Sequence, residues 1–442
     1  VASRSSDLNL TLNIKDSQAT AQLLMQAFQH RQEGNEVRGW SAVRKLSLQD
    51  NTGVVESVWQ HLVGPAVPRL RQLEVQDMSL TISFFLSLHG FCPELEYLEM
   101  SYGNHVSVEL ERDAALLPAC LPKLTALDIS HRHPELLSAL GPQLRSLELQ
   151  DWGHLASSAN LRAALARCTQ LQKLHMFTPV DDEILDTILQ LPTVREVHFH
   201  SIQLERSHAS HTATCSWTHV KLNEAAAAAT LAALPSMPQL EQLDVAFLSI
   251  GPSTSVQAAS KAAALLAGLA AAGKLSWGGE QCMLLEFDMP EPDAEGELDA
   301  DVAASIHAAV AALSPLNGCI QRLWCGVKDH EVLQWPMGAA QLKTLGQALG
   351  SGLLELDLDG ADIAAGFWPA LLPNFPELSS LSLIDQEELS AEDLVLFCTS
   401  NAQRPFTIEL FDPQEPAEAA VEEVQQQLAA QGVDSLVKLQ IT

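Results

Sequence analysis

Basic residues are scarce in this chain. Lys and Arg number 25 against 55 Asp and Glu, which gives a formal net charge of −30 at pH 7 over 442 residues. Nucleic acids and anionic membranes carry the same sign of charge and would be repelled within a Debye length, so neither is an expected partner. A protein partner with a basic segment would instead be attracted.

Long apolar runs and closely spaced cysteines are also lacking. No stretch reaches the roughly 18 apolar residues that a membrane-spanning helix needs. The eight cysteines are scattered and include no CxxC spacing, which indicates reduced, buried thiols in an intracellular compartment such as the cytoplasm or nucleus. Because the chain begins with Val1 rather than methionine, we expect further sequence upstream, where any targeting segment would lie.

Sequence motifs that mark catalytic sites are missing as well. The chain contains no GxSxG, no P-loop, no HExxH and no GxGxxG before a helix. These motifs hold nucleophiles, phosphates, zinc ions and dinucleotides in several large enzyme classes. We therefore expect no enzymatic activity, no catalytic residues and no cofactor.

What the chain does contain is one pattern, apolar-x-x-apolar-x-apolar, repeated along nearly its whole length. Clear copies begin at Val43, Leu70, Leu95, Leu124, Leu144, Leu171, Val194, Leu240, Ile320, Leu353, Leu378 and Leu436, and looser copies at Trp217, Cys282 and Pro405. In all fifteen copies the fourth and sixth positions are apolar, and the residue between them is polar in every copy except at Trp324. Such alternation predicts a strand with one buried face and one face in water.

The spacing of the copies leaves room for a helix in most repeats. Helices are expected at Val55–Val63, Leu80–Leu88, Ala159–Arg167, Asp182–Gln190, Ser255–Ala272, Val302–Leu313, Ala339–Leu349 and Ala417–Ala430. In seven copies a proline lies two residues before the motif: Pro68, Pro93, Pro122, Pro142, Pro192, Pro238 and Pro376. Proline lacks an N–H and has a restricted φ, so it is expected to end the helix and shape the turn into the strand.

Two phrases, Cys92-Pro93-Glu94-Leu95-x-x-Leu98 and Cys168-Thr169-Gln170-Leu171-x-x-Leu174, resemble repeats of the F-box/LRR and ribonuclease-inhibitor type. The resemblance covers roughly residues 40–442. It implies an α/β leucine-rich-repeat solenoid, a horseshoe with a parallel concave sheet and convex helices. One departure is that the Asn or Cys expected after the strand is present only as Asn51.

Residues 1–39 precede this array and have a different pattern. Leu8, Leu10, Leu12 and Ile14 alternate with polar residues, and a helical stretch follows over Ala19–Gln32. We interpret this segment as an atypical first repeat that caps the open edge of the sheet. An F-box, if the full protein has one, lies upstream of Val1.

In such a solenoid the fifth motif position faces outward from the sheet. It holds Ser47, Glu74, Glu99, Asp128, Glu148, His175, His198, Lys221, Asp244, Glu286, Trp324, Asp357, Ser382, Glu409 and Gln440. We call these residues the outer row. Eight of the fifteen are acidic, and four of those are consecutive. Like charges opposed on neighbouring strands cost a few tenths of a kcal/mol each, so the fold alone does not require them.

Two interpretations of the outer row are open. It is either a solvated face relieved by Lys45, Arg71, Arg145, Lys173 and Arg322, or a docking surface for a basic helix, tail or arginine-rich segment. Flanking positions carry Tyr97, Phe177, Trp324, Ile384 and Phe411, which either pack beneath loops or anchor a partner. The candidate partner-binding residues are Glu74, Tyr97, Glu99, Asp128, Glu148, His175, Phe177, His198, Asp244, Glu286, Trp324 and Asp357.

Irregular insertions interrupt the array near residues 201–216 and 288–301. The first brings His208, His211 and Cys215 near three further histidines in sequence, but the spacing matches no zinc signature. The second alternates acids from Asp288 to Asp301 without the ligand order or glycine of a calcium loop. We expect polar loop histidines and a flexible acidic loop, and no metal site.

Three functions fit these observations. The first is a non-catalytic protein-recognition module, such as the recognition part of an F-box-type adaptor. The second is a structural subunit of a large assembly, and the third is a leucine-rich-repeat activator of a GTPase or other enzyme.

Overall fold

The computed structural model describes residues 8–14, 43–50, 59, 67–76, 79–101, 105–106, 112–130, 133–150, 158–208, 215–278, 282–287, 300–327, 335–384, 389–401, 404–411, 415–432 and 437–441. The chain divides into two compact units. The first comprises Val1–His200, Ala213–Thr218 and Met237–Gln239, and the second comprises Ser201–Thr212, His219–Ser236 and Leu240–Thr442. Each unit alternates strands of a parallel sheet with helices.

The described strands of the first unit form one main sheet and one short pair. They are β1 (Leu8–Ile14), β2 (Val43–Asp50), β3 (Gln72–Gln76), β4 (Ser79–Leu80), β5 (Tyr97–Ser101), β6 (His105–Val106), β7 (Ala126–Ser130), β8 (Ser146–Gln150), β9 (Lys173–Met176) and β10 (Glu196–Phe199). The main sheet has the order β1-β2-β3-β5-β7-β8-β9-β10, and each pairing is parallel. Strands β4 and β6 pair separately. The α-helices among its described residues are α1 (Ile82–Phe91), α2 (Leu117–Cys120), α3 (Pro134–Leu140), α4 (Ser158–Leu165) and α5 (Asp182–Leu189).

The second unit repeats this organisation. Its described strands are β11 (His219–Ala227), β12 (Gln242–Ile250), β13 (Leu275–Ser276), β14 (Cys282–Phe287), β15 (Arg322–Val327), β16 (Trp335–Met337), β17 (Glu355–Asp359), β18 (Ala361–Ile363), β19 (Ser380–Ile384), β20 (Phe406–Phe411) and β21 (Val437–Ile441). Strand β12 pairs with β11, β13 and β14, and the sheet continues β14-β15-β17-β19-β20-β21, all parallel. Strands β16 and β18 pair separately. The α-helices in the described part of this unit are α6 (Ala228–Ala233), α7 (Val256–Ala271), α8 (Ala300–Ala311), α9 (Ala339–Leu349), α10 (Phe367–Asn374), α11 (Ala391–Asn401) and α12 (Glu415–Gln431).

The fourth and sixth motif positions form the core on the helix side of each sheet. Leu73 and Leu98 are 0% exposed and Met100 is 4% exposed. Burying one such side chain contributes roughly 1.5–3 kcal/mol, so the repeated motif contributes substantially to stability. The pattern weakens only at the last strand, where Ile441 is 41% exposed.

Predicted helices are confirmed wherever they fall on described residues. Helix α9 has the predicted bounds, and α4, α5, α7, α8 and α12 agree within two residues at each end. Helix α1 begins two residues and ends three residues later than predicted. The predicted helix 19–32 lies outside the described residues, as does 55–63 apart from Trp59.

Pro93 and Pro122 lie in the turns that enter β5 and β7, as predicted. The amide of Leu95 donates to the carbonyl of Cys92 at 3.1 Å, and the amide of Leu124 donates to that of Leu121 at 3.1 Å. These i to i+3 hydrogen bonds put Pro93 and Pro122 at the second turn position, which suits proline's fixed φ. Proline therefore ends one element and starts the next.

Side chains of three different types link consecutive repeats at the turn that enters the strand. The residue immediately before the motif donates to the carbonyl of the first motif residue one repeat earlier. The three bonds are Gln143 Nε2 to Leu124 O at 3.0 Å, Thr193 Oγ1 to Leu171 O at 2.7 Å and Ser216 Oγ to Val194 O at 2.7 Å. Backbone carbonyls between repeats are thereby satisfied without a repeated residue type.

The cysteines differ from expectation at one position. None of the eight, all of which are described, forms a disulfide, and seven are buried as predicted, but Cys319 is exposed. It follows the left-handed Gly318 (φ 79°) in the turn before β15. Burial raises the pKa of the Cys92, Cys168 and Cys398 thiols to about 12.

Two helical glycines in the second unit are expected to respond oppositely to alanine. A Cβ at Gly346 in α9 would lie 2.7 Å from the carbonyl oxygen of Asn374 at the end of α10, whereas a Cβ at Gly268 in α7 meets nothing within 4 Å. Gly268→Ala should therefore raise the free energy of unfolding by about 0.5–1 kcal/mol through helix propensity. Gly346→Ala should lower it by about 1–3 kcal/mol through overpacking. Denaturant unfolding measures both, and a stabilising Gly346→Ala would contradict the close helix contact.

Candidate functional site

The sheet register places consecutive outer-row residues of the first unit beside one another. Ser47 lies opposite Glu74, Glu74 opposite Glu99, and Glu99 opposite Asp128. The row continues from Asp128 to Glu148, His175 and His198. Neighbouring strands in a sheet are about 4.8 Å apart, so four carboxylates are held close together without an intervening residue.

Asp128 is the most constrained of these carboxylates. It is 4% exposed, and within the described structure its Oδ1 atom has no hydrogen-bond partner. Burial, followed by the charges of Glu148 and Glu99, raises the pKa of Asp128 from 3.8 to about 7. A carboxylate at this position is therefore costly to ionise near neutral pH.

Neutral donors make hydrogen bonds to the acidic residues of the row. Gln150 Nε2 donates to Asp128 Oδ2 at 2.8 Å, and Gln76 Nε2 donates to Glu74 Oε1 at 2.7 Å. Tyr97 OH donates to Glu99 Oε2 at 3.0 Å. Burial and the neighbouring carboxylates raise the pKa of Tyr97, which keeps its hydroxyl a donor. The two glutamines were not predicted as site residues, although each lies two residues beyond the row on its own strand.

Histidines and a phenylalanine end the row in the first unit. The His175 ring lies 4.3 Å from that of Phe177 and 4.9 Å from that of His198, measured between centroids. His175 Nδ1 is 3.5 Å from Glu148 Oε1. Phe177 is therefore half-buried against imidazole rings of the same face, and the row changes from acidic to aromatic at β9.

Three of the five basic residues expected to relieve the row pair with acids outside it. Arg71 lies 3.8 Å from Glu96, and Lys173 lies 2.6 Å from Glu196. In the second unit Arg322 lies 2.5 Å from Glu355. These partners precede the outer-row position of their repeats. The three ion pairs thus lie beside the outer row rather than within it.

The first part of the second unit's row contains an ion pair. Lys221 lies opposite Asp244, and Lys221 Nζ is 4.0 Å from Asp244 Oδ2. On its other side Asp244 lies opposite Ser276 of β13. Asp244 is therefore set between a cation and a hydroxyl rather than between carboxylates.

The register expected for the pairing of β14 with β15 is wrong by two residues. Trp324 lies opposite Leu284 rather than Glu286, and Glu286 lies opposite Gly326. A shift of two residues leaves every side chain on the same face, so apolar alternation alone could not distinguish the two frames. Glu286 consequently does not belong to the row that contains Trp324.

From Trp324 onward the row is again in register. Trp324 lies opposite Asp357, Asp357 opposite Ser382, and Ser382 opposite Glu409. An open depression of about 480 Å³ lies over these residues, and Ile384 and Phe411 also line it. Burial raises the pKa of Asp357, although a hydrogen bond from Ser382 and the charge of Arg322 act in the opposite direction.

The insertions give a partial outcome. His208 is 1% exposed, and its backbone amide donates to the carbonyl of Ala233 at 2.8 Å. It thus lies in a loop, as predicted, but its side chain is buried. His211 and 288–299 lie outside the described residues.

Among the residues that are described, no group of three or more His, Cys, Asp or Glu could hold a metal ion. In the same part of the chain, none of the helices is both long and apolar enough to cross a bilayer.

The chain folds as a leucine-rich-repeat array. No protein-family model matches it. Utrophin of Rattus norvegicus is 28% identical over 198 residues, which is 41% of this chain, and the matched region spans 6% of the length of utrophin.

Three solved leucine-rich-repeat structures are similar to the chain. An internalin from Listeria monocytogenes aligns with 81% of this chain and 88% of its own, at 14% identity and a TM-score of 0.39. TLR13, in a complex with ssRNA13, aligns with 84% of this chain and with 49% of its own length, at 12% identity and a TM-score of 0.36. A chain of the yeast Rad7 and Elc1 complex aligns with 83% of this chain and 88% of its own, at 13% identity and a TM-score of 0.34. Because these TM-scores lie below 0.5, the fold assignment rests on the parallel register and the buried leucines.

Proposed function

We propose that the chain is a protein-interaction module whose first unit receives a basic segment of a partner on Glu74, Glu99, Asp128 and Glu148. We call these four residues the acidic row. The observation that carries the proposal is Asp128, which is 4% exposed and has a pKa raised to about 7 between two other carboxylates. Such an arrangement destabilises the free protein, and a cation placed over it would offset that cost.

The neighbourhood of the acidic row suits a peptide rather than a lone ion. Tyr97 and Phe177 flank it, and both are half-buried. Aromatic side chains beside charged groups supply contact area at protein interfaces. Lys173 already pairs with Glu196, and Arg71 with Glu96, so a partner's cations would not have to displace these two residues.

Binding of a fluorescein-labelled nona-arginine peptide, followed by anisotropy, tests the proposal. The variant Glu74→Gln, Glu99→Gln, Asp128→Asn and Glu148→Gln should bind at least about tenfold more weakly, equivalent to about 1.4 kcal/mol. A matched control removes four exposed charges elsewhere, through Glu135→Gln, Glu377→Gln, Glu422→Gln and Glu423→Gln. It should lose much less affinity.

Equal losses in the two variants would contradict the proposal, because they would indicate attraction to net charge alone. Affinity purification of the full-length protein with partner identification, repeated with the four-residue variant, extends the test to natural partners. It also tests the F-box-type adaptor role that the repeat resemblance implies. Unchanged partners in the variant would remove the acidic row as the binding surface.

A further inference from the structure

The depression in the second unit arises from two small side chains. Ser380 and Ser382 lie on the outer face of β19, between the larger outward residues of β17 and β20. Ser382 has Asp357 opposite it on one neighbouring strand and Glu409 opposite it on the other. Ile384 lies opposite Phe411, two residues further along. Two carboxylates and two apolar side chains therefore surround a gap that serine does not fill.

Charge in the depression favours a cationic occupant. Glu355, Asp357 and Glu409 contribute three carboxylates, and Arg322 is the single basic residue among its lining residues. Arg322 lies 2.5 Å from Glu355, and this pair leaves Asp357 and Glu409 facing the gap. Glu409 accepts a hydrogen bond from Gln440, whose side chain is neutral.

Gly326 determines how Trp324 borders this depression. Both residues point outward from β15, and a Cβ at position 326 would overlap the Cη2, Cζ2 and Cζ3 atoms of the indole. Because Gly326 has no side chain, the six-membered ring of the indole packs over the backbone of β15 at this position. With any other residue at 326 the ring would have to turn, and the border of the depression would change.

We propose that this depression binds an arginine side chain of a partner protein, with the guanidinium over Ser382, between Asp357 and Glu409, and with the indole of Trp324 at the border of the depression. Guanidinium forms paired hydrogen bonds with carboxylates, which lysine does less well. The aliphatic part of the side chain would lie along Ile384 and Phe411. The proposal goes beyond the acidic row, because every residue in it belongs to the second unit.

Indole N–H signals in a ¹⁵N-¹H NMR spectrum provide the test. The chain has 8 tryptophans, and the signal lost in Trp324→Phe identifies Trp324. The capped peptide Ac-Gly-Arg-Gly-NH₂ should shift this signal saturably, with a Kd on the order of 1–10 mM for a single side chain. The peptides with norleucine or glutamate in place of arginine should leave it in place.

Variants separate recognition from general charge effects. Asp357→Asn with Glu409→Gln should weaken the arginine peptide at least about fivefold. The four-residue acidic-row variant should leave the Trp324 response unchanged, so failure here and failure of the acidic row are distinguishable. An equal shift with norleucine, no shift with arginine, or an undiminished shift in the double variant would overturn the proposal.

Gly326 is a positioning residue with its own readout. Gly326→Ala should move the Trp324 signal in the free protein and weaken the arginine peptide severalfold, while the far-UV circular dichroism spectrum and melting temperature stay close to those of the parent. If Gly326→Ala leaves both the signal and the affinity unchanged, the indole does not border the site as proposed. A large loss of melting temperature would instead assign glycine a role in the fold.

Discussion

Replacing Asp128 with asparagine is expected to stabilise the protein at pH 8 by about 2–4 kcal/mol. The Asp128 side chain is 4% exposed, and its pKa is raised from 3.8 to about 7. Ionising it in the folded state is therefore less favourable than in the unfolded chain. Asparagine keeps the shape, accepts from Gln150 and can donate to a neighbouring carboxylate, but carries no charge.

The sign of the pH dependence follows from the raised pKa. Between about pH 4 and pH 7 the folded protein holds the Asp128 proton more tightly than the unfolded chain, so stability falls as pH rises. Below pH 4 both states are protonated, and the parent and Asp128→Asn should be equally stable. Above pH 7 both are ionised, and the difference between the proteins should be constant and at its largest.

Denaturant unfolding at pH 4, 6 and 8 measures this difference. The exposed Asp362 provides a matched control, because Asp362→Asn makes the same chemical change at an exposed position. The control should follow the parent at each pH. A difference between parent and Asp128→Asn that does not vary with pH, or a destabilised Asp128→Asn at pH 8, would show that Asp128 is not strained in the folded state.

Much of the fold follows from residues that repeat. The alternation of Leu98, Glu99 and Met100 predicted both the strand and its buried face, and the same pattern in each repeat predicted parallel neighbours in register. Proline before the motif predicted the turn at Pro93. These features depend on local periodicity and backbone geometry, which the sequence contains directly.

Features that depend on neighbouring strands could not be predicted in the same way. The correct frame of Glu286 depends on the pairing of β14 with β15, since both frames bury the same face. Gln150 of β8 donates a hydrogen bond to Asp128 of the neighbouring strand β7, and nothing in the sequence around either residue indicates that contact. The overlap of Trp324 with position 326 is local, but it depends on the side-chain rotamer. Cross-strand contacts and rotamers decide the chemistry of the site, whereas periodicity decides the fold.

A pair of adjacent residues tests the separation of core and surface directly. Leu147 is 1% exposed and points into the core, while Glu148 lies between Asp128 and His175 on the outer face. Leu147→Ala should lower the free energy of unfolding by about 2–5 kcal/mol, through lost burial and the cavity it leaves. Glu148→Ala should change it little or raise it at pH 8, because its charge opposes ionisation of Asp128.

Denaturant unfolding and nona-arginine binding, measured on both variants, should show opposite effects on stability and on affinity at the two positions. Leu147→Ala should retain affinity for the peptide under conditions in which it is folded, and Glu148→Ala should lose affinity without losing stability. Because the two residues are adjacent on β8, a change in strand position would affect both measurements alike. If Glu148→Ala is as destabilising as Leu147→Ala, the outward charge contributes to the fold itself, and the reason for assigning the acidic row to a partner disappears.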